Sequence, residues 1–214
     1  MLDFLRRRIQ SNAFMGGVHL VACWYARIVH RLRVEGVHPG TIPSDRLIVI
    51  ANHVSGIDAV MLQVALPREI RWMMERQMMP ASFDWLWRRI RAIPVESSGA
   101  TTALRESFRH LNGGGVLGIF PEGQIGRPPG RIQVFRPGLA QISARTRSSV
   151  AVFVLDGIAP CGNPFWSLVR PSRARVRLLA VIPPPVAGEE SAWTLGIREQ
   201  MARALGASVD VAHK

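Results

Sequence analysis

The sequence predicts an α/β fold: a mostly parallel central sheet flanked by helices, preceded by an N-terminal helix suited to a membrane interface. Three observations predict it. From Arg33 onward, short apolar runs alternate with stretches of helical periodicity, as in a chain that winds strand, helix, strand. The 214 residues are 48% hydrophobic and 20% charged, which suits one compact core and argues against disorder. Proline and glycine punctuate the runs, as at Pro67 and Gly113-Gly114-Gly115.

The elements follow in order. Arg6-Arg7-Arg8 resembles the basic start of a secretory signal, but no small-residue cleavage site follows it. No formal charge lies between Arg8 and Arg27, and Phe14, Val18, Val21, Tyr25 and Ile28 recur at helical spacing. A helix of that length measures roughly 27 Å, just short of a bilayer core. The apolar face, Trp24-Tyr25 and the flanking Arg27, Arg31 and Arg33 describe a helix lying in an interface. The competing reading is a helix packed on the protein's own core.

Leu47 to Ala51 is a buried strand by composition, and Ile57 to Leu66 a helix that ends before Pro67. Ala92–Val95 reads as a strand, Thr101–Leu111 as a helix, Val116–Phe120 as a strand and Gly138–Arg145 as a helix. Val150–Leu155 and Val176–Ile182 are further strands, and Ala192–Leu205 is the last helix. The Pro183-Pro184-Pro185 run is a stiff connector, too short to divide domains. Trp72 to Met79, with Phe83, Trp85 and Trp87, is rich in adaptable apolar side chains and reads as an apolar groove, a second interfacial surface or ordinary core.

Charge and composition restrict the partners. There are 27 basic against 15 acidic residues, a net charge of +12, and every basic residue but Lys214 is arginine. Such a field favours nucleic acid, anionic lipid or an acidic carrier protein. No nucleic-acid-binding signature accompanies it, so no nucleic acid is expected. Arg173, Arg175 and Arg177 alternate with apolar residues and share one strand face, open to anionic headgroups, an acidic carrier or plain solvent. The two cysteines, Cys23 and Cys161, exclude a disulfide scaffold, and the other histidines have no metal-ligand spacing to His53, so no metal is expected.

The chemistry concentrates in Asn52-His53-Val54-Ser55-Gly56-Ile57-Asp58, which leaves a strand and enters a helix. His53 is the side chain best suited to act as a base near neutrality. Asp58 in the first helical turn is placed to reach its second ring nitrogen, as in a catalytic triad. Ser55-x-x-Asp58 is also a capping box, a role compatible with the first. Ser55 is a poor candidate nucleophile, because no G-x-S-x-G elbow occurs. The second segment is Phe120-Pro121-Glu122-Gly123, at the end of a strand and followed by Phe135-Arg136-Pro137-Gly138.

N-H-x-x-x-x-D and F-P-E-G, in this order, resemble the first and third blocks of the glycerophospholipid acyltransferase family, which includes bacterial lysophosphatidate acyltransferases. The resemblance runs from about Arg33 to Ile182 and implies an acyltransferase domain over 33–214, preceded by the membrane-associating helix read over 1–32. It implies transfer of a fatty acyl group from acyl-CoA or acyl-carrier protein to the hydroxyl of a lysolipid, with no cofactor beyond that donor. His53 and Asp58 are then catalytic, while Asn52, Ser55, Glu122, Gly123, Arg127 and Arg136 serve the substrate. For Glu122 the alternative is a structural acid that pins its loop.

Departures from the family pattern bear on the acceptor. Glu96-Ser97 stands where an Asp-Arg pair is usual, Gln124-Ile125-Gly126 where Thr-Arg-Ser is common, and Ala151–Val154 lacks a proline. They leave open 1-acyl-glycerol-3-phosphate, a lyso-aminolipid, or a non-catalytic lipid-binding relative; an esterase is the reading from another class. The implied location is the cytoplasmic face of the inner membrane, peripheral or monotopic, against an anionic surface.

Overall fold

The computed structural model describes residues 13–38, 40–43, 45–66, 68–96, 99–125, 131–158 and 166–209. Arg6–Arg8, Ser97, Arg127 and Cys161, singled out above, lie outside them, as does the side chain of Phe14. The elements run α1 (Ala13–Ile28), β1 (Arg33–Glu35), β2 (Leu47–Ile50), α2 (Asp58–Ala65), β3 (Ile70–Glu75), α3 (Asp84–Arg89), β4 (Ile93–Val95) and α4 (Thr101–Asn112). They continue as β5 (Val116–Ile119), β6 (Arg131–Ile132), α5 (Gly138–Thr146), β7 (Ser149–Asp156), α6 (Trp166–Val169), β8 (Arg175–Ile182), α7 (Glu190–Leu205) and β9 (Ser208–Val209).

Seven strands form the central sheet in the order β1-β8-β7-β2-β5-β3-β4, and β6 pairs with β9 separately. Every pairing is parallel except β7 with β8. The fold is therefore the expected α/β one with a mostly parallel sheet. All four residues of β2 are buried, the mark of a parallel strand covered on both faces. Its side chains alternate between two cores. Leu47, Val49 and Ala51 join Ala26 of α1 and Met61 and Leu62 of α2. Ile48 and Ile50 join Ala103 of α4, Ile142 of α5 and Met201 of α7 on the opposite face.

Helix α1 docks with its small and polar residues. His19, Ala26 and the following His30 are buried, while Val18, Val21, Trp24 and Ile28 face outward. The His30 ring sits between Ser172 Oγ, 2.7 Å from Nδ1, and Tyr25 Oη, 2.9 Å from Nε2. Tyr25 Oη donates to the carbonyl of Leu168, which ties α1 to α6. Since that hydroxyl proton goes to Leu168, the His30 Nε2–H donates to Tyr25 and the Ser172 hydroxyl donates to Nδ1. Trp166 and Val169 of α6 are 65% and 64% exposed, so α6 adds apolar surface next to the outward face of α1. The helix packs on the core through one face, with Ala26 and Tyr25, and presents Val18, Val21, Trp24 and Ile28 on the other.

The arginine stripe is less free than its alternation suggests. Arg173 precedes β8, and Arg175 lies 3.7 Å from Glu35 and 3.8 Å from Asp156. Arg177 pairs with Asp156 at 3.3 Å and donates to the carbonyl of Ala204. Two of the three charges are thus matched by carboxylates.

Candidate active site

The site grows from the carboxyl ends of the central strands, where side chains leaving a parallel sheet meet a crevice. β2 and β5 pair in parallel with Ile50 opposite Ile119, so the loops after them emerge side by side. His53 follows β2 and Glu122 follows β5. On the other flank, Asn52 replaces a rung of the ladder to β7: its Nδ2 donates to Leu155 O at 2.9 Å and its Oδ1 accepts the Leu155 N–H at 2.8 Å. Asn52 thereby fixes the level at which the chain leaves the sheet. Its amide is occupied by backbone and the residue is buried, so it holds the loop rather than touching a substrate.

Asp58 opens α2 and is 0% exposed. One of its oxygens, Oδ2, accepts three hydrogen bonds: from His53 Nδ1 at 2.8 Å and from the backbone N–H groups of Val54 at 2.7 Å and Ser55 at 2.8 Å. Burial pushes its carboxyl above the ordinary range, opposed by the His53 ring and by the two N–H groups. An acceptor at Nδ1 puts the ring hydrogen there and leaves the Nε2 lone pair for a proton from outside. The carboxylate also stabilises the imidazolium that results.

The capping box is half made. The Asp58 carboxylate reaches back to the Ser55 N–H, but the Ser55 hydroxyl makes no cap bond. Ser55 is 1% exposed, and its Oγ has no hydrogen-bond partner among the described residues. Placement at a substrate, expected for Ser55, is thus replaced by burial beneath the turn. The N–H groups of Val54 and Ser55, natural candidates to hold an oxyanion at a new helix, are already taken by Asp58.

Aromatic stacking sets the plane of the base. The His53 ring lies on Phe120 with centroids 4.1 Å apart and an interplanar angle of 11°. Phe120 lies in turn on Trp72 at 5.0 Å and 13°. Trp72 of β3 is opposite Gly118 of β5 in the sheet register, and a Cβ at Gly118 would collide with the indole. The glycine makes room for the column that supports His53.

Glu122 is 4% exposed, and both its oxygens are occupied by backbone: Oε1 by the His53 N–H at 3.0 Å and Oε2 by the Gln133 N–H at 3.0 Å. Burial raises its carboxyl above the usual range, countered by those two N–H groups and by the charges of His53 and Arg198. Of the two expected roles, the geometry describes the acid that pins its loop. Gly123 has φ +71, and a Cβ there would run into the Arg136 guanidinium. Arg136 is exposed, lies over the F-P-E-G turn and donates its backbone N–H to Pro121 O at 2.8 Å. Of the two arginines expected at the substrate, it is the one the described residues place, against the Phe120–Gly123 turn; Arg127 lies outside them.

Sequence reasoning missed three contributors: the Trp72–Phe120 column, Gln133, and Arg198 of α7. A charge at position 198 on the buried face of a helix, beside Ile197, Met201 and Ala202, was the available signal. Among the described residues no three His, Cys, Asp or Glu side chains converge in a metal-binding group.

A strand-end histidine whose Nδ1 is held by a buried carboxylate has Nε2 free to take up a proton, the requirement of general-base chemistry. The sequence profile of the family described as "Acyltransferase" matches residues 31–155, more than half of the chain and all of this site up to Arg136 and Leu155. The chain belongs to that acyltransferase family, as its two motifs led us to expect. Its fold resembles the crystal structure of the 1-acyl-sn-glycerophosphate (LPA) acyltransferase PlsC from Thermotoga maritima. The TM-score is 0.69 at 19% identity, over 95% of this chain and 92% of that one.

Proposed function

We propose that the protein transfers a fatty acyl group from an acyl thioester to the hydroxyl of a lysolipid at a membrane surface. The observation that carries this reading is the His53–Asp58 dyad, with Nδ1 fixed by a buried carboxylate and Nε2 left to accept a proton. Family membership supports acyl transfer as the chemistry. The acceptor hydroxyl attacks the thioester carbonyl carbon while its proton passes to His53 Nε2. The tetrahedral intermediate expels the thiolate, which takes the proton back from the imidazolium as free thiol. The acyl group ends on the acceptor oxygen, with no acyl-enzyme.

The acceptor is 1-acyl-glycerol-3-phosphate or a related lysolipid, with acyl-CoA or acyl-carrier protein as donor. Arg136, exposed over Gly123, is the residue we assign to an acceptor phosphate. Among the described residues no helix is long and apolar enough to cross a membrane. The outward Val21, Trp24 and Ile28 of α1 and Trp166 and Val169 of α6, set in a chain of net charge +12, support peripheral binding to an anionic surface. We place that surface at the cytoplasmic face of the inner membrane.

The test is thiol release from a long-chain acyl-CoA, and then from acyl-carrier protein, with a panel of lysolipid acceptors. Release that needs a lysolipid and disappears in His53→Ala supports the proposal, and the required acceptor names the substrate. With a phosphate-bearing acceptor, Arg136→Ala is expected to raise KM about tenfold with kcat nearly unchanged. Release of free fatty acid without any acceptor makes the protein a thioesterase. Vesicle binding without turnover on either donor makes it a lipid-binding relative.

A further inference from the structure

Arg198 lies in α7, beyond the stretch matched by the family profile, and is 6% exposed. A buried guanidinium on the apolar face of a helix costs several kcal/mol of desolvation unless its hydrogen bonds are satisfied. Two of its donors go to one short segment: Nε donates to Gln133 O at 2.8 Å and Nη2 to Ile132 O at 3.1 Å. That segment has little ladder of its own, since β6 pairs with β9 over only Arg131 and Ile132. The next link is the Gln133 N–H on Glu122 Oε2, and the last is Glu122 Oε1 on the His53 N–H. A methionine would fill the same volume without the desolvation, but it would leave these two carbonyls without their donors.

We propose that Arg198 is a positioning residue for acyl transfer: by clamping the 132–133 backbone from α7 it keeps Glu122 seated, and through Glu122 it fixes the main chain of His53. Two further observations fit this relay. Gln124 Nε2 donates to Gln133 Oε1 at 2.7 Å, so the turn carrying Glu122 and the clamped segment are also braced through their side chains. The positive charge of Arg198 also opposes the desolvation of Glu122 and favours the carboxylate that can accept two N–H groups at once. The C-terminal helix is thereby part of the machinery, although the reacting groups lie far from it in sequence. The inference rests on the reading of His53 as the base.

The experiment uses the full chain with Arg198→Met, Arg198→Gln and Arg198→Lys, and reads kcat, KM and hydrogen exchange of the His53 amide. Removing a charged donor from buried acceptors is expected to lower kcat of Arg198→Met by roughly 10- to 100-fold and to speed His53 exchange by a similar factor. KM for the acyl thioester stays within about twofold. Arg198→Lys recovers part of both losses, because an ammonium can still donate to these carbonyls but lacks the guanidinium's fixed fork. Adding Glu122→Gln to Arg198→Met costs little more in kcat, because both act through one link. If Arg198→Met does not fold, Arg198→Gln, which keeps one donor, carries the same readouts and falls between wild type and the expected loss. A fall in melting temperature with wild-type kcat and exchange in the folded variant overturns the proposal. If the wild-type protein transfers no acyl group, the functional reading fails separately, and the exchange of His53 alone then decides whether the relay exists.

Discussion

Glu122 holds His53 by its main chain and not by its ring: Oε1 accepts the His53 backbone N–H at 3.0 Å, while the imidazole is held by Asp58. The two acids therefore divide the work. Asp58 orients the base, and Glu122 fixes where its backbone stands relative to the sheet. Each division has a separate experimental signature.

Asp58→Asn replaces an oxygen that accepts three donors by an amide that must turn either its oxygen or its NH2 toward them. The His53 tautomer is then no longer imposed. A loss in kcat of roughly 10³- to 10⁴-fold is expected, with KM little changed. Steady-state thiol release checks it, and a loss below tenfold would contradict the assigned role.

Gly118→Ala tests the aromatic column at a distance from any reacting atom. The added methyl has to displace the Trp72 indole, and overpacking of this kind costs about 1–3 kcal/mol. Since Phe120 rests on Trp72 and His53 on Phe120, kcat should fall together with stability. Denaturant unfolding and kinetics on the same variant check both; a stable variant with full activity would separate the column from the base.

Glu122 gives the protein a pH-dependent stability of definite sign. Its folded carboxyl sits above the ordinary 4.5, so the folded state binds its proton more tightly than the unfolded one. Unfolding then releases a proton in the window from about 4.5 up to the folded value, and stability falls as pH rises through it. Asp58, raised from 3.8, contributes with the same sign. Glu122→Gln should be less stable by about 1–3 kcal/mol, because an amide cannot accept both N–H groups. It should also show a flatter dependence of the urea midpoint on pH. An unchanged slope would mean that Glu122 does not titrate in that range.

The outward face of α1 is tested by Val21→Ser with Trp24→Ser, which leaves the buried His19, Ala26 and His30 untouched. Loss of two insertable side chains should weaken partitioning onto anionic vesicles by roughly a hundredfold, with the melting temperature nearly unchanged. Trp166→Ser should weaken it further if α6 belongs to the same surface. Sedimentation with vesicles gives the partition coefficients, and equal binding by all variants would move the membrane contact elsewhere.

Much of this was legible in the chain. β2, β5 and β7 are rich in apolar and β-branched residues, and parallel burial on two faces leaves that mark in a sequence. The dyad was legible because it is local: His53 and Asp58 lie on one turn. β3 was not, since Ile70-Arg71-Trp72-Met73-Met74-Glu75 has one β-branched residue and two charges, and only pairing with β5 and β4 makes it a strand. β6 and β9 owe their pairing to segments far apart in the chain, which no local pattern announces. The same distance hid Arg198 behind Gln133. Asn52 and Ser55 sat in the right motif, but their burial depends on β7 and on the Asp58 turn, neither of which a motif displays.

The way α1 docks also bears on how the protein behaves once purified. Among the described residues Val18, Val21, Trp24 and Ile28 face outward and contribute little to holding the domain together. Among the described residues nothing covers Val21, Trp24, Ile28, Trp166 and Val169, which leaves them exposed to water or to another copy in the absence of lipid. Self-association should therefore rise with protein concentration and disappear on addition of a mild detergent, while the sheet and the dyad remain intact throughout.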